Sequence, residues 1–158
     1  MQKEIIKKIS FYLYNYNNID DLISERRTNI IDAIDVTNRA WLKSKTSKGN
    51  TLEDQIIKLN NDSLILEYKR WQVFIKKVLA FLYKHSPITH KFLVLKYFKK
   101  FKDEDILKSL KIDSKALISI KSNLLALIYE NAQKRDLIWK GGTKYVLDRI
   151  NYRNFYRS

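Results

Sequence analysis

The beginning of the chain carries apolar residues at the spacing of an α-helix. Four of them lie seven positions apart, the repeat of a helical seam that packs against another helix: Ile9, Tyr16, Ile23 and Ile30. We therefore predict a long helix over about residues 3–34. Asn and Asp at positions 17–21 favour caps and turns over helix interiors, so the helix can be divided into two near this point.

A polar stretch separates this helix from a second long one. Residues 36–50 combine Ser, Thr, Gly and Lys without a repeat, which predicts an exposed loop. Thr51 is the predicted N-cap of a short helix, and the polar residues 60–63 end that helix and begin the next. Apolar side chains then recur every three or four residues, so we predict an amphipathic helix over about residues 63–84. Its seam includes Leu64, Trp71 and Val78.

Three shorter helices are predicted in the second half. Pro87 disfavours a helical Ser86, which makes Ser86 the expected N-cap of a helix over about residues 87–100. The next helix is expected over residues 103–110, because three acids in its first turn complement the helix dipole. Asp113 is the predicted N-cap of the third. That helix is expected to continue to about residue 140 and to end at Gly141 and Gly142.

These elements predict an all-α fold, because three Gly and one Pro leave too few turn residues for a sheet of many short strands. We expect residues 1–84 to form a long-helix hairpin that serves assembly or partner binding. Residues 87–140 are expected to form a three-helix unit. Residues 141–158 form a tail rich in aromatic residues and Arg, which is expected to dock on the bundle or to stack on bases.

Charge narrows the class of partner. The 158 residues hold 31 Lys and Arg against 17 Asp and Glu, a formal net charge of +14. Residues 71–102 contain eight Lys and no acid. Such an excess favours a polyanion, and nucleic acid first, over a small neutral substrate. The chain has no Cys, no signal-peptide core and no apolar run of membrane-spanning length, so we expect it in a cytoplasm and away from membranes.

No catalytic, metal or cofactor site is expected. His85 and His90 lie five residues apart across a proline, whereas helical metal pairs use positions i and i+4 with further ligands. The three acids at 103–105 are explained by the helix dipole better than by acid–base catalysis. We therefore expect a protein that is not an enzyme and that holds no metal or cofactor.

The three-helix unit has the spacing of a helix-turn-helix, in which a short helix and a turn of about three residues precede a recognition helix for the major groove. Its Lys and Ser side chains can bond base edges or phosphates, and Ile118 can meet a thymine methyl. Six residues are expected on its exposed face: Ser114, Lys115, Ile118, Ser119, Lys121 and Ser122. Three more lysines are expected to hold phosphates: Lys99, Lys100 and Lys102. Ordinary three-helix bundles share this spacing, so the positive charge of the segment is what favours DNA.

Three short motifs carry a resemblance to a known family. They are Leu-Lys-Tyr-Phe at 95–98, Asp-Glu-Asp-Ile at 103–106 and Leu-Lys-Ile at 110–112. With the helices upstream, over about residues 51–131, they resemble the late-gene transcriptional regulators of phages of low-GC Gram-positive bacteria, the RinA and ArpU type. The second half of that family resembles region 4 of sigma factors. Asp113, Ser114, Ala116 and Ser119 depart from the family, which commonly has Ser, Arg, Thr and Arg there, so arginine contacts to guanine are absent from this helix.

The resemblance implies a sequence-directed transcription factor that binds double-stranded promoter DNA. It would activate phage late genes through host RNA polymerase, in the bacterial host cytoplasm. We expect a homodimer, because the two long seams exceed what one three-helix unit needs and because two recognition helices on neighbouring half-sites bind more tightly than one. Two alternatives stay open: a basic helical module that binds an acidic protein, and a recognition subunit for DNA packaging.

Overall fold

The regular elements are all helices within residues 3–43 and 52–138, the part of the chain that the computed structural model describes. The prediction of an all-α fold is confirmed. The α-helices are α1 (Lys3–Tyr14), α2 (Ile19–Lys43), α3 (Leu52–Asn61), α4 (Ser63–His85), α5 (Pro87–Leu93), α6 (Asp103–Leu110) and α7 (Ser114–Lys134). A 3-10 turn at Tyr16–Asn18 follows α1, and a π-helical segment at Val94–Phe98 follows α5.

The first predicted helix is indeed divided in two, but its second part is longer than expected. The Asn15 side chain donates a hydrogen bond to the Phe11 carbonyl at 2.8 Å, and the 3-10 turn separates α1 from α2. The helix α2 then continues to Lys43, so the predicted loop is wrong for residues 36–43. No Gly or Pro occurs among these eight residues, so nothing in the backbone chemistry stops the helix there. Residues 44–50 and Thr51 lie outside the described residues.

The boundaries of α4 follow the prediction closely. Asp62 caps its first turn, since the Asp62 Oδ1 atom accepts a hydrogen bond from the Ile65 N–H at 3.0 Å. At the other end Ser86 is the N-cap of α5 by position, with Pro87 at the first helical residue as predicted. The Ser86 hydroxyl, however, bonds the Thr89 hydroxyl at 2.7 Å instead of a backbone N–H.

The predicted helix over residues 87–100 consists of α5 and the π-helical segment. The Lys99 N–H donates to the Val94 carbonyl at 2.9 Å, a bond that spans five residues where an α-helix spans four. The apolar pattern of the sequence predicts Leu95 and Phe98 on the buried face of this helix, with Phe92 and Leu93. The structure leaves Leu95 and Phe98 half-buried and buries Tyr97. The wider turn shifts the residues after 93 around the helix, which the simple 3.6-residue period does not anticipate.

The last described helix, α7, ends at Lys134, so the expected continuation to residue 140 is wrong. Asp136 adopts a left-handed conformation with φ of 53°, and the Leu137 N–H donates to the Ala132 carbonyl at 2.9 Å. Together these features turn the chain away from the helix axis. Gly141, Gly142 and the tail 141–158 lie outside the described residues.

The chain divides into two compact units, whose limits differ from the predicted ones at 84 and 87. We name them by charge. The basic unit comprises residues 1–17 and 71–158 and holds 22 of the 31 Lys and Arg but 8 of the 17 Asp and Glu. The neutral unit, residues 18–70, holds the other nine of each sign. The whole net charge of +14 therefore belongs to the basic unit.

Aromatic packing explains why α1 belongs to the basic unit. The rings of Tyr12 and Trp71 stack with centroids 4.5 Å apart, and Tyr14 meets Tyr97 at 4.9 Å. The helix α1 also contacts α7 and the π-helical segment. Trp71 is fully buried, and burial of Tyr97 raises its pKa to about 12. These contacts place α1 in one core with Trp71, the π-helical segment and α7.

The predicted seams are largely covered within one chain. Ile9, Trp71 and Val78 are buried in the basic unit, and Ile23 is buried in the neutral unit. Their burial removes the seam as a reason to expect a homodimer. The homodimer itself remains a prediction, and it would have to use another surface.

The neutral unit is stabilised by an ion pair as well as by apolar side chains. The guanidinium of Arg26 donates two hydrogen bonds to the Asp62 carboxylate, at 2.9 and 3.3 Å. This contact links α2 to the residue that caps α4. The hydrogen bond from Arg26 lowers the pKa of Asp62, and the bond to Asp62 raises the pKa of Arg26. In the part of this unit that the structure describes, the buried apolar side chains are Ile19, Ile23, Ile34, Ile65 and Tyr68.

Candidate nucleic-acid interface

The helices α6 and α7 are joined by a turn of three residues, Lys111, Ile112 and Asp113. Lys111 ends α6 in a left-handed conformation with φ of 54°, and its N–H donates to the Leu107 carbonyl. Asp113 is extended, and its Oδ1 atom accepts a hydrogen bond from the Ala116 N–H at 2.8 Å. The predicted N-cap is thus confirmed. The cap fixes the direction in which α7 leaves the turn.

The first half of α7 has one exposed polar face and one buried apolar face. Leu117 and Leu124 are buried, and Ile120 is half-buried. All six predicted recognition residues are exposed: Ser114, Lys115, Ile118, Ser119, Lys121 and Ser122. Ile118 is the one apolar residue among these six, and 67% of its surface is accessible. This exposure is unfavourable in water, because burial of an isoleucine side chain stabilises a protein. This face can therefore offer hydroxyls, ammonium groups and one apolar side chain to a partner.

The second half of α7 is enclosed on nearly every side. The buried residues here are Leu124, Leu125, Ala126, Ile128, Tyr129, Asn131, Ala132 and Gln133. The Gln133 Nε2 atom donates to the Tyr129 hydroxyl at 3.0 Å, which supplies a partner to two buried polar groups. Because this half is fixed in the core, the exposed first half projects from a rigid support.

The three predicted phosphate-binding lysines lie between the π-helical segment and α6. Lys99, Lys100 and Lys102 are all exposed, and Lys100 has φ of 58°. A Lys in this left-handed conformation is less favourable than a Gly. Lys100 adopts it directly after Lys99, the residue that ends the π-helical segment. No carboxylate of the described residues forms an ion pair with these lysines or with Lys115 and Lys121. Five ammonium groups are therefore available to an anionic partner.

One lysine of the same segment is not available. Lys96 Nζ lies 2.6 Å from Asp103 Oδ1, and only 17% of the Lys96 side chain is exposed. From the sequence alone, Lys96 belongs to the same run of basic residues as Lys91, Lys99 and Lys100. Asp103, Glu104 and Asp105 are exposed in the first turn of α6. These three acids follow Lys102 in the chain, and their negative charges repel an anion bound at Lys102. We therefore expect Lys102 to bind phosphate more weakly than Lys99.

Two lysines close to the turn were not among the predicted site residues. Lys108 in the last turn of α6 and Lys111 in the turn itself are both exposed. They flank the start of α7, where the positive end of the helix dipole also lies. A search for Lys in the turn of the helix-turn-helix pattern would have found Lys111.

The histidines take part in aromatic packing. The His85 ring stacks on Phe81 with centroids 4.6 Å apart, and the His90 ring meets Tyr83 edge to face at 5.5 Å. In the described part of the chain, no group of three His, Cys, Asp or Glu side chains is arranged to hold a metal ion. None of the helices in residues 3–43 and 52–138 has the length and apolar character needed to cross a membrane.

Comparison with protein-family models, with curated proteins and with solved structures gives no match to this chain. The resemblance to phage late-gene regulators therefore stays a prediction from the motifs quoted above.

Proposed function

We propose that this protein is a sequence-directed DNA-binding transcription factor of the phage late-gene type. In this proposal α6 and α7 act as a helix-turn-helix, and the first half of α7 enters the major groove of promoter DNA. The observation that carries the proposal is the exposed face of α7, whose Lys115 and Lys121, like Lys99 and Lys100, have no carboxylate partner among the described residues.

The residues have two different roles in this proposal. Ser114, Lys115 and Ile118 lie in the first turns of α7, the part of a recognition helix that meets base edges. Lys99 and Lys100 hold phosphates, which fixes the position of the protein on the duplex without reading sequence. Activation of late genes then requires contact with host RNA polymerase in the bacterial cytoplasm. The sequence resemblance supports that part of the proposal.

The first test is the salt dependence of DNA binding. We expect the full chain to bind a duplex from the DNA that flanks its own gene, with about six phosphate contacts. The logarithm of affinity should then fall with the logarithm of salt concentration at a slope of about −5, close to a thousandfold loss between 50 and 200 mM. Fluorescence polarisation at several salt concentrations measures the slope. A flat response would contradict the proposal.

The second test separates base contacts from phosphate contacts. Lys115→Ala should weaken binding to the specific duplex more than to a random duplex, because a base contact carries sequence information. Lys99→Ala should weaken both duplexes alike and reduce the size of the salt slope by about 1. Equal losses on both duplexes for both variants would remove the assignment of α7 as the reading helix.

Transcription and assembly need their own measurements. Transcription in vitro with host RNA polymerase on the flanking promoter should increase when the protein is added, whereas a DNA-packaging subunit would leave it unchanged. Sedimentation at micromolar concentration should show a dimer, on DNA or free. A monomer in both conditions would mean that one recognition helix acts alone.

A further inference from the structure

An open groove in the basic unit has Lys99, one of the proposed phosphate-binding residues, in its lining. Its volume is about 420 Å³, and α5, the π-helical segment and α6 all contribute to its lining. Four apolar side chains lie in it: Ile88, Val94, Leu95 and Leu110. Lys91, Lys99, His90 and Ser109 complete the lining. The groove therefore combines apolar surface with positive charge.

The lining residues come from consecutive parts of the chain. Ile88 and Lys91 lie three residues apart on α5, while Val94 and Leu95 of the π-helical segment, and Lys99 that ends it, line the same groove. Phe92, Leu93 and Tyr97 are buried in the core instead. Ile88 remains 54% exposed, so the groove has no covering from the described residues that would bury this side chain.

Charge indicates what kind of occupant fits. None of the eight lining residues is acidic, and Lys91 and Lys99 have no ion-pair partner among the described residues. Lys108 and Lys111, next to Ser109 and Leu110 in the chain, are exposed as well. The chain's own residues 139–158 contain five Lys and Arg against one Asp, so they do not complement this surface. The same groove of a second copy would meet this one with like charge.

We propose that this groove binds an acidic amphipathic segment of a partner protein, with apolar side chains in the groove and carboxylates on Lys91 and Lys99. Helices bind to grooves in this way through apolar residues at positions i, i+4 and i+7. Opposite charge around the groove selects the partner and speeds association. DNA fits this groove less well, because charged phosphates gain nothing from contact with the four apolar side chains and would lose water there. This binding site goes beyond the proposed function and does not depend on it.

The test uses the full chain and a labelled synthetic peptide of about 16 residues with Leu at i, i+4 and i+7 and Glu on the flanking positions. We expect binding in fluorescence polarisation, and no binding of a peptide with Lys in place of Glu. Ile88→Glu should weaken binding about tenfold or more, since it places a charge among the apolar contacts. Glu is compatible with the first turn of α5, where Ile88 lies, so the variant should fold.

Matched controls keep the result specific to the groove. Val73→Glu alters an equally exposed apolar residue of the same unit that does not line the groove, and it should leave binding unchanged. Lys91→Glu should weaken binding more than Lys76→Glu, an exposed lysine of α4 that also lies outside the groove.

Two results would overturn the proposal. One is a peptide that fails to bind at millimolar concentration or that binds Ile88→Glu as well as the wild type. The other is an Ile88→Glu variant that loses affinity for duplex DNA while the peptide does not bind. That second result would assign the groove to the DNA-contacting surface. Absence of DNA binding by the wild type, by contrast, would contradict only the proposed function.

Discussion

The basic and neutral units differ in how charge is balanced. The neutral unit has nine residues of each sign, and its Arg26 and Asp62 form a double hydrogen bond. The basic unit has a surplus of 14 positive charges, and several of its lysines face solvent without a partner among the described residues. Such a surplus repels itself and destabilises the compact state. A surplus confined to one unit is expected for a surface that binds a polyanion.

The two units also differ in the kind of side chain that they bury. The largest fully buried side chains of the basic unit include five aromatic residues: Trp71, Tyr97, Tyr129, Phe74 and Phe92. Among the described residues of the neutral unit, the buried apolar side chains are four isoleucines and Tyr68. Aromatic side chains bury the largest areas and add ring–ring contacts. Aromatic packing in the described core of the basic unit can therefore offset part of the repulsion among its charges.

The largest expected effect comes from removing the centre of the aromatic core. Trp71→Ala should lower the free energy of unfolding by about 3–5 kcal/mol, because it deletes a fully buried ring and its stack on Tyr12. Urea unfolding followed by circular dichroism measures this. Val73→Ala, two residues away and 55% exposed, should change stability by less than about 0.5 kcal/mol.

A small effect of Trp71→Ala would contradict the view that aromatic packing offsets charge repulsion. A double-mutant cycle with Tyr12→Ala sharpens the result. The coupling between the two rings should be about 1 kcal/mol, since they stack at 4.5 Å with an interplanar angle of 6°.

The second prediction compares lysines of the two units in DNA binding. Lys99→Ala should weaken DNA binding several-fold at low salt, because it removes one phosphate contact. Lys69→Ala changes an exposed lysine of the neutral unit and should have no effect on affinity. Equal losses for both variants, measured by fluorescence polarisation on one duplex, would mean that DNA binding is not confined to the basic unit.

The smallest expected effect concerns the Asp62 carboxylate of the neutral unit. Its pKa is lower in the folded chain than in the unfolded chain, chiefly because of the hydrogen bond from Arg26. The ionised form therefore stabilises the fold above about pH 4, and this contribution is lost as the pH falls through the folded pKa. Asp62→Asn should remove that part of the acid dependence in thermal melting measured across pH.

A second replacement, Asp62→Ala, separates the contribution of the ion pair with Arg26 from that of the N-cap hydrogen bond. Asn can still accept the hydrogen bond from the Ile65 N–H, whereas Asp62→Ala loses it and should cost about 1 kcal/mol more than Asp62→Asn. If the two variants had equal stability, the Asp62 side chain would not act as the cap of α4.

Much of the secondary structure follows from the sequence alone, since caps and breakers act locally. Asp113 accepts the backbone bond that its side chain chemistry predicts, and Pro87 begins α5 because its ring fixes φ and removes an N–H. The exposure of the first half of α7 also follows from the pattern, because polar residues on one face and leucines on the other leave one arrangement in water.

The tertiary structure alone decided which helices share a core and which charges remain available. Tyr12 meets Trp71, and Tyr14 meets Tyr97, across long separations in sequence that no local period encodes. These contacts assign α1 to the basic unit and thereby place the whole net charge there. The ion pair of Lys96 with Asp103 depends likewise on the contact of the π-helical segment with α6. The free energy of burial depends on the total apolar area removed from water. Side chains that are distant in sequence can therefore determine which helices pack together, which a local pattern does not specify.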